Sequence, residues 1–202
     1  MKRMVLMALL ALALPMAAFA GSTGTIDFSN QTGTLTGSTA GLSLTGSTLV
    51  GVNPWNGSEI EGNLGTVAFS TGAYISTVGN VSNFAGGGSF TITGNGTNGF
   101  ASGVVFSGAF TGNVTLTLVK QNTNGGSLYE IQGTLSGTMN GQKAAGITIQ
   151  DYVFTGVNGW MGTSQMGSGN TFLTPVPEPG TLGLLGTGLV GLAGLLRKKL
   201  KA

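Results

Sequence analysis

The segment Val114-Thr115-Leu116-Thr117-Leu118-Val119 changes polarity almost residue by residue. Successive side chains of an extended chain point to opposite faces. Val114, Leu116 and Leu118 therefore share one face, and Thr115, Thr117 and Val119 the other. The same period of two marks GTIDFS, GLSLTGSTLVG, GTVAFS, AYISTV, SFTITG, GVVFSGAF, SLYEIQGTLSGTM and GITIQDYVF. No stretch between the two ends keeps apolar residues at helical spacing for three turns. Asn-Gly and Gly-Gly clusters, Asn140-Gly141 among them, separate the runs and supply the positive φ that tight hairpins need. About nine short strands joined by turns predict an all-β fold, an antiparallel β-sandwich of jelly-roll type. The alternative is a β-solenoid, because Leu35–Thr39 and Leu44–Thr48 both read LTGST. The expected core comprises Ile26, Phe28, Leu42, Leu44, Val67, Phe69, Tyr74, Ile75, Phe90, Ile92, Val105, Val114, Leu116, Leu118, Ile131, Leu135, Ile147, Ile149 and Val153. A slip of one residue would invert the faces of any strand.

The two ends differ from this body. Lys2 and Arg3 precede an apolar run, Met4–Leu14, too short to span a bilayer. Pro15 breaks it, and Ala18-Phe19-Ala20 fits the small-x-small rule for cleavage between Ala20 and Gly21. Residues 1–20 are thus expected to be a signal peptide in helical form, handled by a signal peptidase and the secretion translocon. Residues 21–174 form the Gly/Thr-rich β domain, and 175–202 a second addressing segment. There Val176-Pro177-Glu178-Pro179 is followed by an uncharged run, Thr181–Leu196, and a basic cluster of Arg197, Lys198, Lys199 and Lys201. Those 16 uncharged residues make a helix of about 24 Å, against a hydrocarbon core of about 30 Å. With snorkelling bases, a single transmembrane helix is expected. The basic cluster fixes its C-terminal side in the cytoplasm, which puts the body outside.

Charge follows the same division. The chain carries +2, but six of its eight bases lie at the ends. Between Gly21 and Thr174, Lys120 and Lys143 face five acids, a net of −3. The basic balance therefore belongs to the addressing segments and does not indicate nucleic acid. Charged residues make up only 7% of the chain, far below an ordinary soluble enzyme. There is no cysteine, so stability rests on packing and backbone pairing.

Catalytic devices are hard to assemble from this inventory. Without histidine or cysteine, neither a Ser-His-Asp nor a Cys-His arrangement can be built within the chain. Glu59 and Glu61, two apart on one strand, sit side by side and not across a substrate. The carboxylates are too dispersed to predict a hard-cation site, and no cofactor is expected. G-x-G-x-x-G occurs at Gly94–Gly99 and Gly186–Gly191, but neither copy joins a strand to a helix as a dinucleotide site requires. Trp55 and Trp160 stand in turn-like contexts where an indole could stack on a sugar ring. Core packing is the competing role for each. Asn-x-Ser/Thr occurs at Asn30, Asn56, Asn80, Asn95 and Asn113, as expected in so Asn- and Thr-rich a chain.

The order Val176-Pro177-Glu178-Pro179, apolar run, Arg/Lys tail closely resembles the PEP-CTERM sorting signal of Gram-negative bacteria. The resemblance covers residues 176–202 and is strengthened by the N-terminal signal peptide. It implies an exosortase partner, an integral-membrane transpeptidase-like enzyme for which Pro177, Glu178 and Pro179 are substrate. It also implies transient anchoring in the inner membrane, then transfer to the envelope, the cell surface or an extracellular matrix rich in exopolysaccharide. The expected protein is not an enzyme. It is a structural or adhesive surface component, with a secreted carbohydrate-binding module as the alternative.

Overall fold

The computed structural model describes residues 24–54, 57–121, 126–154 and 159–176, together with Gly188. Gly24–Pro175 is one compact unit. It contains twelve strand segments: β1 (Ile26–Gln31), β2 (Thr34–Ser38), β3 (Gly41–Asn53), β4 (Ile60–Ser70), β5 (Tyr74–Val78), β6 (Val81–Phe84), β7 (Gly87–Asn95), β8 (Ser102–Phe110), β9 (Val114–Gln121), β10 (Ser127–Met139), β11 (Gln142–Phe154) and β12 (Gly162–Pro175).

The pairing joins these into eight long antiparallel strands. β1 and β2 both lie between β12 and β3, as successive halves of one strand. β4 and β5 run in line along β7 and β6, which run in line along β8 and β9. β8 and β9 in turn share β10. Each long strand pairs with its neighbours in sequence, and β12 returns to β1 and β2, with Ile26 opposite Leu173. The result is a closed eight-stranded up-and-down barrel. This corrects the expected sandwich: the described residues form one continuous sheet, closed on itself, with no second layer among them. The solenoid alternative fails too, since every pairing is antiparallel. The two LTGST copies are the arms of one hairpin, with Leu35 opposite Leu44.

Eight strands enclose a space that side chains just fill. Phe28, Leu35, Leu44, Leu49, Val67, Phe90, Ile92, Phe106, Leu116, Ile131 and Leu173 point inward and are buried. Phe69, Phe90, Phe106 and Phe110 form an edge-to-face and stacked cluster at centroid separations of 5.7–6.2 Å. The expected core holds on most strands and inverts on β11. Ile147 and Val153 are 44% and 40% exposed, and Ile149 is half-buried, while Thr148, Gln150 and Tyr152 fill the interior. Ile75 is also outside, at 52% exposure, because a bulge between Tyr74 and Ser76 throws it out of register.

Two local devices shape the barrel. Asn140 and Gly141 both have positive φ, 50° and 82°, and close the β10–β11 hairpin between Met139 and Gln142. A row of glycines crosses the strand breaks: a Cβ on Gly72 would meet Gly86 O at 2.6 Å, and one on Gly86 would meet Gly112 O at 2.6 Å. Only glycine lets the backbones approach this closely where the sheet bends. The signal helix over 1–20 and the transmembrane helix over 181–196 lie outside the described residues, apart from Gly188. Among the described residues no helix is long and apolar enough to cross a membrane.

Candidate functional site

Strand direction sorts the loops between the two ends of the barrel. Ile26, Asn53, Ile60, Asn95, Ser102, Met139 and Pro175 lie at one, here the terminal end. Thr25 and Thr174 share a 2.8 Å hydroxyl hydrogen bond there. Ser38, Val78, Gln121, Phe154 and Gly162 lie at the far end. The two tryptophans are thus not neighbours. Trp160 belongs to the far end, whereas Asn53 and Ile60, which flank Trp55, belong to the terminal end. Trp160 is only 9% exposed, with its ring 5.0 Å from Phe84 and 5.3 Å from Tyr74. It closes the far end of the core and offers a sugar little open face. Trp55 lies outside the described residues.

The interior contains a polar network that the sequence pattern did not reveal. Asn30 and Gln150 exchange two amide hydrogen bonds, Nδ2 to Oε1 at 3.0 Å and Nε2 to Oδ1 at 3.1 Å. Asn30 also donates to Ser47 Oγ at 2.9 Å, and Gln150 to Thr148 Oγ1 at 2.8 Å. Thr148 meets the Thr171 hydroxyl at 2.9 Å. All five side chains are at most 2% exposed. Their donors and acceptors are used on one another, which is what makes such burial tolerable. One signal was available: inward positions on β11 are Thr148 and Gln150, so polar residues follow the core period there. Asn30 heads a sequon yet lies inside the barrel, closed to any modifying enzyme.

Tyr152, also fully buried, is the exception, since its hydroxyl has no partner among the described residues. Burial, and secondarily the charge of Asp151, hold its pKa well above 10.0.

The charged side chains do not converge on a cleft. Asp27 accepts from Asn170 Nδ2 at 3.0 and 3.2 Å on the outer face. Glu130 and Asp151 stand directly opposite each other on β10 and β11, with Gln132 donating to Glu130 at 2.9 Å. Glu59, just before β4, and Glu61, its second residue, are both exposed. Among the described residues no three acids, histidines or cysteines are grouped as a metal site. Two shallow depressions mark the outer wall. One, of about 290 Å³, is lined by Asn113, Thr115, Gln132, Ile147 and Ile149. The other, of about 450 Å³, is lined by Gln31, Thr48, Glu61 and Asn63. Neither holds a nucleophile beside a base.

The tail begins without a spacer. β12 remains paired through Pro175, which faces Ala144, and Val176 follows at 44% exposure. Pro177, Glu178 and Pro179 lie outside the described residues, as do Ala18, Ala20, Gly21, Arg197, Lys198, Lys199 and Lys201.

Fold and tail together define a filled eight-stranded barrel bearing a C-terminal sorting segment. Residues 175–198 match the family described as PEP-CTERM protein-sorting motif. No curated protein and no solved structure matches the chain. The motif is that of an exported protein sorted by an exosortase to the envelope or surface.

Proposed function

We propose that the chain is a non-enzymatic component of the cell surface or extracellular matrix, with a structural or adhesive barrel. The observation that carries this reading is the sorting motif, attached directly to a barrel whose interior is occupied by its own side chains. A signal peptide at 1–20 takes the chain through the translocon and is removed after Ala20. The apolar run 181–196 and its basic flank hold it transiently in the inner membrane. An exosortase then acts at Val176–Pro179, and the barrel passes to an exopolysaccharide-rich matrix or biofilm. Pro177 and Pro179 keep the substrate extended, and Glu178 supplies one charge to read.

Mass spectrometry of the protein from an exosortase-proficient host tests the route. The expected species lacks residues 1–20 and the segment 181–202. Recovery of an intact Thr181–Ala202 segment overturns the sorting step. The alternative, a carbohydrate-binding module, rests on Trp55, since Trp160 is spent on the core. Glycan-array binding that disappears in Trp55→Ala would favour it.

A further inference from the structure

The interior of the barrel is occupied by its own side chains, which leaves the outside for binding. Strand register brings two rows of outward side chains together there. One row runs Asp27, Phe172, Ile147 and Thr134 across β1, β12, β11 and β10. The other runs Ser29, Asn170, Ile149, Gln132 and Thr115, and so reaches β9. Phe172, Ile147 and Ile149 make an apolar floor in the middle; Ile147 is 44% exposed and the other two are half-buried. Polar groups bracket this floor. On the β9–β10 side Asn113, Thr115, Gln132 and Thr134 line the depression of about 290 Å³, together with the two isoleucines. On the β1 side Asn170 Nδ2 donates to both Asp27 oxygens and, at 3.1 Å, to Ser29 Oγ. One amide group cannot use all the lone pairs of a carboxylate, so Asp27 is held in place with acceptor capacity to spare. The band crosses five strands, about 19 Å along the wall at the usual strand spacing.

This pattern selects among partners. An extended peptide adds to a sheet through free backbone groups, and β1, β9, β10, β11 and β12 are each paired on both sides at these rows. A polyanion or an anionic lipid surface needs bases to hold it. The two rows contain none: their one charge is Asp27, and the next outward pair along the wall is Glu130 and Asp151. A neutral glycan fits on each count. Its rings present C–H faces that pack on Phe172 and the isoleucines. Its edges carry hydroxyls that donate and accept, which suits amides and hydroxyls on one side of the floor and a fixed carboxylate on the other.

We infer that this band is a binding groove for a neutral polysaccharide chain, laid across the strands from β9 to β1. The inference rests on the reading of the chain as a matrix component, and it names what the barrel holds in the matrix. Phe172 is the platform. Asp27 and Gln132 are the hydrogen-bonding groups on either side of it, and Asn170 positions Asp27. The groove is built from neither tryptophan.

The probe is exopolysaccharide from the producing host, stripped of protein and separated by anion exchange into neutral and acidic pools. The protein is purified from that host in its naturally processed form, and its binding to each immobilised pool is measured. Saturable binding to the neutral pool is expected, and it should persist in high salt because the ligand is uncharged. Phe172→Ala and Asp27→Asn should each weaken it about tenfold, the scale of one lost aromatic or charge-assisted contact. Val104→Ala, on the exposed outer face of β8, should leave it unchanged. Urea unfolding checks that each variant is folded, and Asp27→Asn, which keeps the side chain's shape, carries the test if Phe172→Ala does not fold. A matrix with no neutral pool, no binding to that pool, preference for the acidic pool, loss of binding in high salt, or full binding by the folded variants overturns the groove. So does binding lost in Trp55→Ala alone. Fractionation of the same cells scores the surface reading separately. Protein found in the envelope or medium that binds no neutral polysaccharide sinks the groove and leaves that reading standing, whereas protein absent from both overturns the reading itself.

Discussion

Asn30 and Gln150 show how much a single residue can matter to a barrel with no buried charged side chain among the described residues. Each amide donates to the other's carbonyl oxygen, so removing one leaves that buried oxygen without its donor, at a cost of about 1–3 kcal/mol. Asn30→Ala and Gln150→Ala are each expected to lower the midpoint of urea unfolding by at least that much. The double variant should cost less than the sum, because the second removal no longer orphans anything. Additive losses would disprove the coupling. Tyr152 is the converse case. Its hydroxyl is buried without a partner among the described residues, so Tyr152→Phe should be neutral or stabilise by up to about 1–3 kcal/mol. Its ionisation makes stability depend on pH in alkali. The unfolded phenol releases its proton above pH 10, whereas the folded one holds it well beyond that. The unfolded state then binds fewer protons, so this contribution is intact below pH 10 and is lost as pH rises toward the folded pKa. Unfolding followed against pH should show a steeper decline above pH 10 in the parent than in Tyr152→Phe. These residues also mark where the pattern was hard to read. On β11 the apolar Ile147, Ile149 and Val153 face out while Thr148 and Gln150 face in, so hydrophobicity alone selects the wrong face.

At the scale of strands, the glycine row is the feature most exposed to change. Gly72, Gly86 and Gly112 succeed one another across three adjacent long strands, each close to the backbone of the next. Gly86→Ala places a methyl 2.6 Å from Gly112 O, a contact that only backbone movement can relieve. Overpacking of this kind costs about 1–3 kcal/mol. The loss should appear as a lower Cm with an unchanged m-value, and an unaltered Cm would show that the crease has slack. Gly99→Ala is a useful contrast. Its Cβ would meet nothing within 4 Å, so its cost comes from the backbone alone, at a φ of 79°. The strands themselves were legible from their period of two, and the β10–β11 turn from Asn140-Gly141. The breaks within long strands were not. Thr71–Ala73 and Thr111–Asn113 read as loops between strands, although the chain resumes in line after each.

At the scale of the molecule, closure is the property that sequence periodicity could not distinguish. A sandwich and a meander barrel share the same alternation and the same turns. They differ in whether the last strand returns to the first, which is a contact between Ile26 and Leu173 at opposite ends of the domain. The tail was legible for the opposite reason: a processing enzyme reads it as a linear segment, so it must be explicit in the sequence. Closure also makes a prediction that a sandwich with separated termini would not. Thr25, just before β1, and Thr174 on β12 are hydrogen-bonded neighbours, so a short Gly/Ser linker can join the two ends of Gly24–Pro175. New termini can then be opened at the exposed β5–β6 turn, Gly79-Asn80, at the far end. Every strand keeps its pairings in such a permutant, and only the order of chain entry changes. The permutant is expected to fold with the parent's far-ultraviolet circular dichroism and a Tm within about 10 °C of a non-permuted Gly24–Pro175 control. A folded control beside an unfolded permutant would show that β12 and β1 do not hold the seam as the register requires.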